Sequence, residues 1–113
     1  MSRDQEAIID ITESIKLILQ YMTGIDQEAL AVNYEKQDAI LRRVTIIGEA
    51  TKRLSQEFRQ NHPAIPWKKI AGMRDVITHD YDEIDLTEIW TVITENIPEL
   101  LKYLENLHHT NIE

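Results

Sequence analysis

The sequence predicts an all-α fold, an antiparallel bundle of four main helices plus one short helix. Three observations carry this. Only three Gly and three Pro interrupt 113 residues, and these two residue types are the strongest markers of turns. Leu, Ile, Glu, Gln and Lys are abundant, a composition that favours helices over strands. Apolar residues also recur at three- and four-residue steps through every long segment, the signature of an amphipathic helix. By length, residues 1–113 are read as a single helical domain, large enough to bury a core without disulfides or metals.

The elements follow in order. Residues 4–22 read as the first helix, with Ile8, Ile11, Ile15, Ile18, Leu19 and Met22 on one face. Asp4 and Glu6 suit the positive end of its macrodipole. Thr23-Gly24 stops it, and Asp26 caps a short helix through Val32. The longest pattern runs from Asn33 to Arg59, where Ile40, Val44, Ile47, Thr51, Leu54 and Phe58 form a narrow stripe. Gly48 lies inside it and costs roughly 1 kcal/mol against Ala, which implies a close helix contact there.

Asn61-His62-Pro63 breaks the chain, with His62 a loop residue, and Pro66 opens the next helix, residues 66–78. Trp67, Ile70, Met73 and Ile77 form its core face. Asp85 and Glu88 have capping-box spacing and start the last helix. Leu86, Ile89, Trp90, Ile93, Ile97, Leu100, Leu101, Leu104 and Leu107 give it a broad apolar face. Pro98 removes the hydrogen bond to the Thr94 carbonyl and should kink it. Residues 107–113 read as a frayed tail, whose adjacent His108 and His109 diverge on a helix and make no metal site.

Charge and composition narrow the function. There are no cysteines, hence no disulfide or thiolate chemistry, which fits a reducing cytoplasm. No apolar run approaches the roughly 18 residues of a membrane span, and the start of the chain lacks the apolar region of a signal peptide. A soluble cytoplasmic protein with no membrane association is expected. The net charge is −8, but it is unevenly spread. Nine of the twelve Lys and Arg fall within residues 36–74 beside only Asp38, Glu49 and Glu57, a local balance of +6. That segment is either an electrostatic footprint for an anion or surface charge that pairs with the acidic helices or a second protein.

It ends at Arg74-Asp75-Val76-Ile77-Thr78-His79-Asp80-Tyr81. Arg carries a planar fork that suits phosphate and stays charged. His exchanges protons near neutral pH. The two are the minimum kit for metal-free phosphodiester cleavage. At about 100° per residue, Arg74 lies about 40° from Ile70, at the edge of the apolar arc. His79 would lie about 140° from Arg74 if the helix continued, too far for both to meet one phosphate. Either the helix ends before His79, as the acidic turn through Asp85 suggests, or two protomers share the site.

The R-x4-H-x-Y spacing, with the residues around it, resembles the HepT-like toxins of the HEPN superfamily. Arg42-Arg43, Ile46-Ile47-Gly48-Glu49-Ala50 and Lys52 resemble that family's central helix. Ile65-Pro66-Trp67, Ile70 and Gly72-Met73-Arg74 resemble its entry to the motif. Ile84-Asp85, Trp90 and Pro98-Glu99-Leu100 resemble its exit, so the likeness spans nearly the whole chain and is weakest before about residue 35. Asp75 stands where many relatives have Asn.

The resemblance implies an all-α homodimer that acts as the toxin of a type VII-like toxin–antitoxin pair, cleaving RNA (tRNA or mRNA) without a metal or other cofactor. It implies catalytic roles for Arg74 and His79. The implied partner is an MntA-like minimal nucleotidyltransferase antitoxin that silences the toxin by adenylylating Tyr81. Asp75, Arg42, Arg43, Lys52, Lys68 and Lys69 are the candidate supporting and RNA-binding residues. Two rivals stand beside this reading: a non-catalytic subunit that binds a nucleotide or the nucleotidyltransferase, and a plain structural bundle.

Overall fold

The computed structural model describes residues 2–111, with side chains through Leu107 apart from that of Asp82. Helices α1 (Arg3–Tyr21) and α3 (Tyr34–Arg53) form the main pair, joined by the short α2 (Gln27–Val32). Ser2 caps α1 reciprocally with Gln5, a capping box. Asp26 caps α2 through the Ala29 N–H at 2.8 Å, and Asn33 caps α3 through the Lys36 N–H at 3.0 Å. Gly24, at φ 73°, takes the left-handed conformation in the turn after α1. Asp10 of α1 pairs with Arg53 at the end of α3, and Asp4 bonds to Ser55, so the pair runs antiparallel.

The stripes read from the sequence are the core. Ile11, Ile15 and Ile18 of α1 and Ile40, Val44 and Ile47 of α3 are fully buried. Burial stabilises each by roughly 1.5–3 kcal/mol relative to leaving it in water. Trp67, Ile70, Met73 and Ile77 close the core from the motif side, as the angular reading expects. Thr51, a polar member of the stripe, is buried with its hydroxyl bonded to the Ile47 carbonyl at 2.8 Å. Leu30 is the buried anchor of α2, with Val32 exposed, and Leu86 differs from the apolar face expected for its helix by lying at the exposed start.

Three long patterns are subdivided. The helix expected over 33–59 ends at Arg53, and a separate α4 (Gln56–Asn61) follows. Leu54 is extended at ψ 139° and Ser55 caps α4, because Asp4 of α1 accepts both the Ser55 N–H and its hydroxyl at 2.7 Å. The helix expected over 66–78 divides at Gly72 into α5 (Trp67–Ala71) and α6 (Met73–Ile77). The last helix runs through α7 (Leu86–Thr91), a π turn over Val92–Asn96, and α8 (Ile97–Asn111).

That π turn lies just before Pro98, where a kink is expected. The Ile97 N–H bonds five residues back to the Val92 carbonyl, a widened turn next to the proline. Hydroxyls of Thr91 and Thr94 bond back to the Thr87 and Trp90 carbonyls in the same stretch, a pattern that bends helices. α8 continues to Asn111, into the stretch expected as a tail, while Ile112 and Glu113 lie outside the described residues. Among the described residues there is no named strand, only an isolated antiparallel bridge between Thr78 and Ile84. No helix there is long and apolar enough to cross a membrane.

Candidate active site

The site begins where α6 stops. The Thr78 N–H and hydroxyl both bond to the Arg74 carbonyl, at 3.0 and 2.9 Å, so a side chain takes the place of the next helical turn. Thr78 and His79 are extended, and the helix therefore ends before His79, the first of the two alternatives left open by the angle between Arg74 and His79. A tight hairpin follows. The Asp85 N–H bonds to the Ile77 carbonyl at 2.7 Å, and the His79 N–H bonds to that of Glu83 at 2.8 Å. Between them Asp80–Asp82 make a single 3₁₀ turn.

Tyr81 sits at the apex with φ 59° and ψ 31°, the left-handed region that a residue with a Cβ rarely enters. Its side chain is fully exposed. The turn brings Asp85 back to a diagonal position beside His79, on the same face of the hairpin. Asp85 Oδ2 lies 3.1 Å from His79 Nε2, while Oδ1 accepts the Glu88 N–H at 3.0 Å and caps α7. The Glu88 N–H, and after it the His79 ring, hold the Asp85 carboxyl below its ordinary pKa. The carboxylate is thus ionised at neutral pH and acts only as an acceptor. From the sequence, Asp85 reads as a helix cap; its second contact, to His79, was not legible. The signal is an Asp six residues after a His with a turn-forming acidic run between them.

The remaining candidate residues divide between surfaces. Arg74 is half-buried on α6, and Asp75 beside it is exposed. On α3, Gly48 faces Ala71 of α5 whereas Arg53 reaches Asp10 of α1, which fixes the two flanks of that helix. At about 100° per residue, Lys52 falls toward the Gly48 flank and Arg43 toward the Arg53 flank. Arg42 is exposed between them, and Lys52 also pairs with Glu49 at 3.8 Å. Lys68 and Lys69 are exposed on α5, Lys69 at a crevice it shares with Asn96, Glu99 and Tyr103. The basic segment is therefore not one stripe: Arg53 is used by an acidic helix, and Lys52, Lys68 and Lys69 remain on the side of α5 and α6. Among the described residues no three His, Asp or Glu side chains are grouped to hold a metal ion.

The sequence that builds this site has counterparts among known proteins. The family described as Ribonuclease HepT-like matches residues 11–107. The chain belongs to that family. A Thermococcus cleftensis protein named "Probable ribonuclease HepT" is 38% identical over 98 residues, covering 87% of this chain and 89% of that protein. A Methanocaldococcus jannaschii protein named as a candidate RNase is 33% identical over 104 residues, covering 91% and 95%. A second protein of that organism, named as a gamma-glutamylcyclotransferase and candidate RNase, is 42% identical over 101 residues. The match takes in 86% of this chain but 46% of that longer protein, so the chain spans about half of its length. No solved structure matches the chain at a significant level.

Proposed function

We propose that this HepT-like chain is an endoribonuclease toxin that needs no metal, with Arg74 and His79 as its catalytic residues. One observation carries the reading. α6 bears Arg74 and ends at Ile77, and the extended arm that follows presents His79 with its ring against an ionised carboxylate. RNA brings its own nucleophile, the 2′-hydroxyl. Its oxygen bonds to phosphorus, the bond from phosphorus to the 5′-oxygen breaks, and a proton leaves one oxygen as another joins the second. His79 carries one of these protons. Arg74 stabilises the charge that grows on the phosphoryl oxygens, a donor aimed at the transition state. Lys52, Lys68 and Lys69 draw the phosphate backbone to this side of the molecule.

The single helical domain of residues 1–113 acts as a cytoplasmic homodimer on tRNA or mRNA, within a type VII-like toxin–antitoxin pair. Exposed Val32, Tyr34, Val76 and Leu86 supply apolar surface for self-association. The partner is an MntA-like minimal nucleotidyltransferase, which transfers AMP to Tyr81. The exposure of that phenol at the hairpin apex supports the assignment, since a bulky anion there meets no packed neighbour and repels RNA.

The test is RNA cleavage by purified wild type and His79→Ala, side by side, with and without EDTA. Cleavage by wild type alone, unaffected by EDTA and leaving 2′,3′-cyclic phosphate ends, is expected. Equal cleavage by both would identify a contaminating nuclease. No cleavage by a dimeric, unmodified wild type across a broad RNA panel would favour a non-catalytic binding subunit.

A further inference from the structure

We infer that Asp85 is a positioning residue that sets the tautomer of His79, leaving Nδ1 as the imidazole nitrogen open for proton transfer. The inference rests on the ribonuclease reading only for its consequence, since the tautomer itself is a property of the free protein. Asp85 uses its two oxygens for two tasks: Oδ1 takes the Glu88 N–H at 3.0 Å, and Oδ2 faces His79 Nε2 at 3.1 Å. An ionised carboxylate can only accept, so Nε2 must carry hydrogen whether the ring is neutral or charged. The neutral ring then has its lone pair on Nδ1.

The scaffold makes this arrangement stiff. Asp85 is fixed at both ends, its N–H to the Ile77 carbonyl at 2.7 Å and its Oδ1 to the first turn of α7. The His79 N–H is held by the Glu83 carbonyl at 2.8 Å. The imidazole itself stays open, with 59% of the His79 side chain exposed against 32% for Asp85. An aspartate that both caps a helix and orients a histidine couples the position of α7 to the chemistry of the motif arm. In the cleavage step Nδ1 either takes the proton leaving the 2′-oxygen or gives one to the 5′-oxygen. In both roles the Nε2–H to Asp85 hydrogen bond persists, and the carboxylate steadies the positive ring.

Substitution separates the two tasks. Asp85→Asn keeps a good cap only if its oxygen stays on the Glu88 N–H. Its NH₂ group then points at Nε2, which must turn from donor to acceptor, and the hydrogen moves to Nδ1. Asp85→Ser also caps, but its one oxygen is taken by the helix and His79 is released. Long-range ¹H–¹⁵N spectra of the imidazole should therefore show the Nε2–H tautomer in wild type. Asp85→Asn should show mostly Nδ1–H, and Asp85→Ser a mixture, with helical circular dichroism retained in both.

RNA cleavage by Asp85→Asn should fall by roughly 10² to 10⁴, the range for losing general acid–base assistance. A wild-type His79 in the Nδ1–H form, or an Nε2–H ring unchanged in both variants, overturns the inference. So does wild-type cleavage rate in Asp85→Asn. If the tautomers behave as expected while wild type cleaves no RNA, the positioning role stands and the ribonuclease reading fails instead.

Discussion

Gly48 of α3 lies so close to Ala71, the last residue of α5, that a methyl group on Gly48 would stand 3.2 Å from the Ala71 carbonyl oxygen. Ala71 adjoins Gly72, the joint from which α6 carries Arg74 outward. The contact therefore sets the distance between the central helix and the motif. Gly48→Ala gains about 1 kcal/mol of helix propensity and loses part of it to the tight contact, so stability should move by less than about 1 kcal/mol. Gly48→Leu cannot be accommodated by a small shift and should destabilise by about 1–3 kcal/mol through overpacking. Urea unfolding midpoints measure both. A Gly48→Leu midpoint equal to wild type would show that the two helices are free to separate.

The same contact shows what a linear sequence discloses. A glycine within an otherwise strong helical pattern costs stability, and a close backbone approach is the economical reason for it. The buried stripes of α1 and α3 were legible for a similar reason, since periodicity is a local property of the chain. The break at Leu54-Ser55 was not, because the groups that cause it belong to Asp4, about fifty residues away in sequence and adjacent in space. Leu54 and Phe58 continue the apolar rhythm straight across it. In the site, the angle between His79 and Arg74 left either an early end of α6 or a site shared by two protomers, and α6 does end before His79. The hairpin beyond it was not legible, since its apex demands a left-handed tyrosine that local preference argues against.

That tyrosine gives a second prediction. A non-glycine residue in the left-handed region is strained by roughly 1–2 kcal/mol, and exposed Tyr81 makes no packing contact to offset it. Glycine removes the strain but leaves the unfolded chain more freedom, worth roughly 0.5–1 kcal/mol. Tyr81→Gly should therefore leave stability within about 1 kcal/mol of wild type. With the proposed partner, a minimal nucleotidyltransferase, co-expressed, wild type should gain the mass of AMP and Tyr81→Gly should not. Tyr34 is also exposed, at the start of α3, so peptide mapping must accompany the intact mass. An AMP group found on Tyr34 would remove Tyr81 from the regulatory scheme.

Acid should weaken the motif arm through Asp85. Its folded pKa is depressed, first by the Glu88 N–H and then by His79, so it stabilises the fold above its unfolded pKa. That stability is lost as pH falls through the depressed value. Neutral Asn at this position caps α7 without titrating. The melting temperature of wild type should exceed that of Asp85→Asn from about pH 5 to 7, and the gap should close below about pH 4. Thermal melts of both proteins between pH 3 and 7 measure it. A gap that widens in acid would contradict the direction of the shift.

The proposed homodimer draws on exposed apolar side chains on α2, α3, α6 and α7. Val32 and Tyr34 are about three-quarters exposed, at 75% and 74%, and Val76 and Leu86 add to the surface near the motif. Light scattering at micromolar concentration should report about twice 13.2 kDa. A single 13.2 kDa species would leave the homodimer without support.

The last prediction concerns Arg74, because it separates charge from shape. If the guanidinium binds two phosphoryl oxygens through its planar fork, lysine at this position keeps the charge and loses the paired geometry. Arg74→Ala should lower cleavage by about 10² or more, comparable to removing one donor aimed at a developing oxyanion. Arg74→Lys should recover only part of this, and the recovered part should shrink with added salt, since a flexible exposed ammonium is screened more readily than a half-buried fork. Single-turnover rates for the three proteins at two salt concentrations decide the matter. At the end of α6 the Arg74 carbonyl also accepts hydrogen bonds from the Thr78 N–H and hydroxyl. Both bonds use the Arg74 backbone, so neither substitution removes them. Full activity in Arg74→Lys at either salt concentration would mean that the residue attracts RNA without touching the reacting phosphate. Full activity in Arg74→Ala would take it out of the reaction altogether.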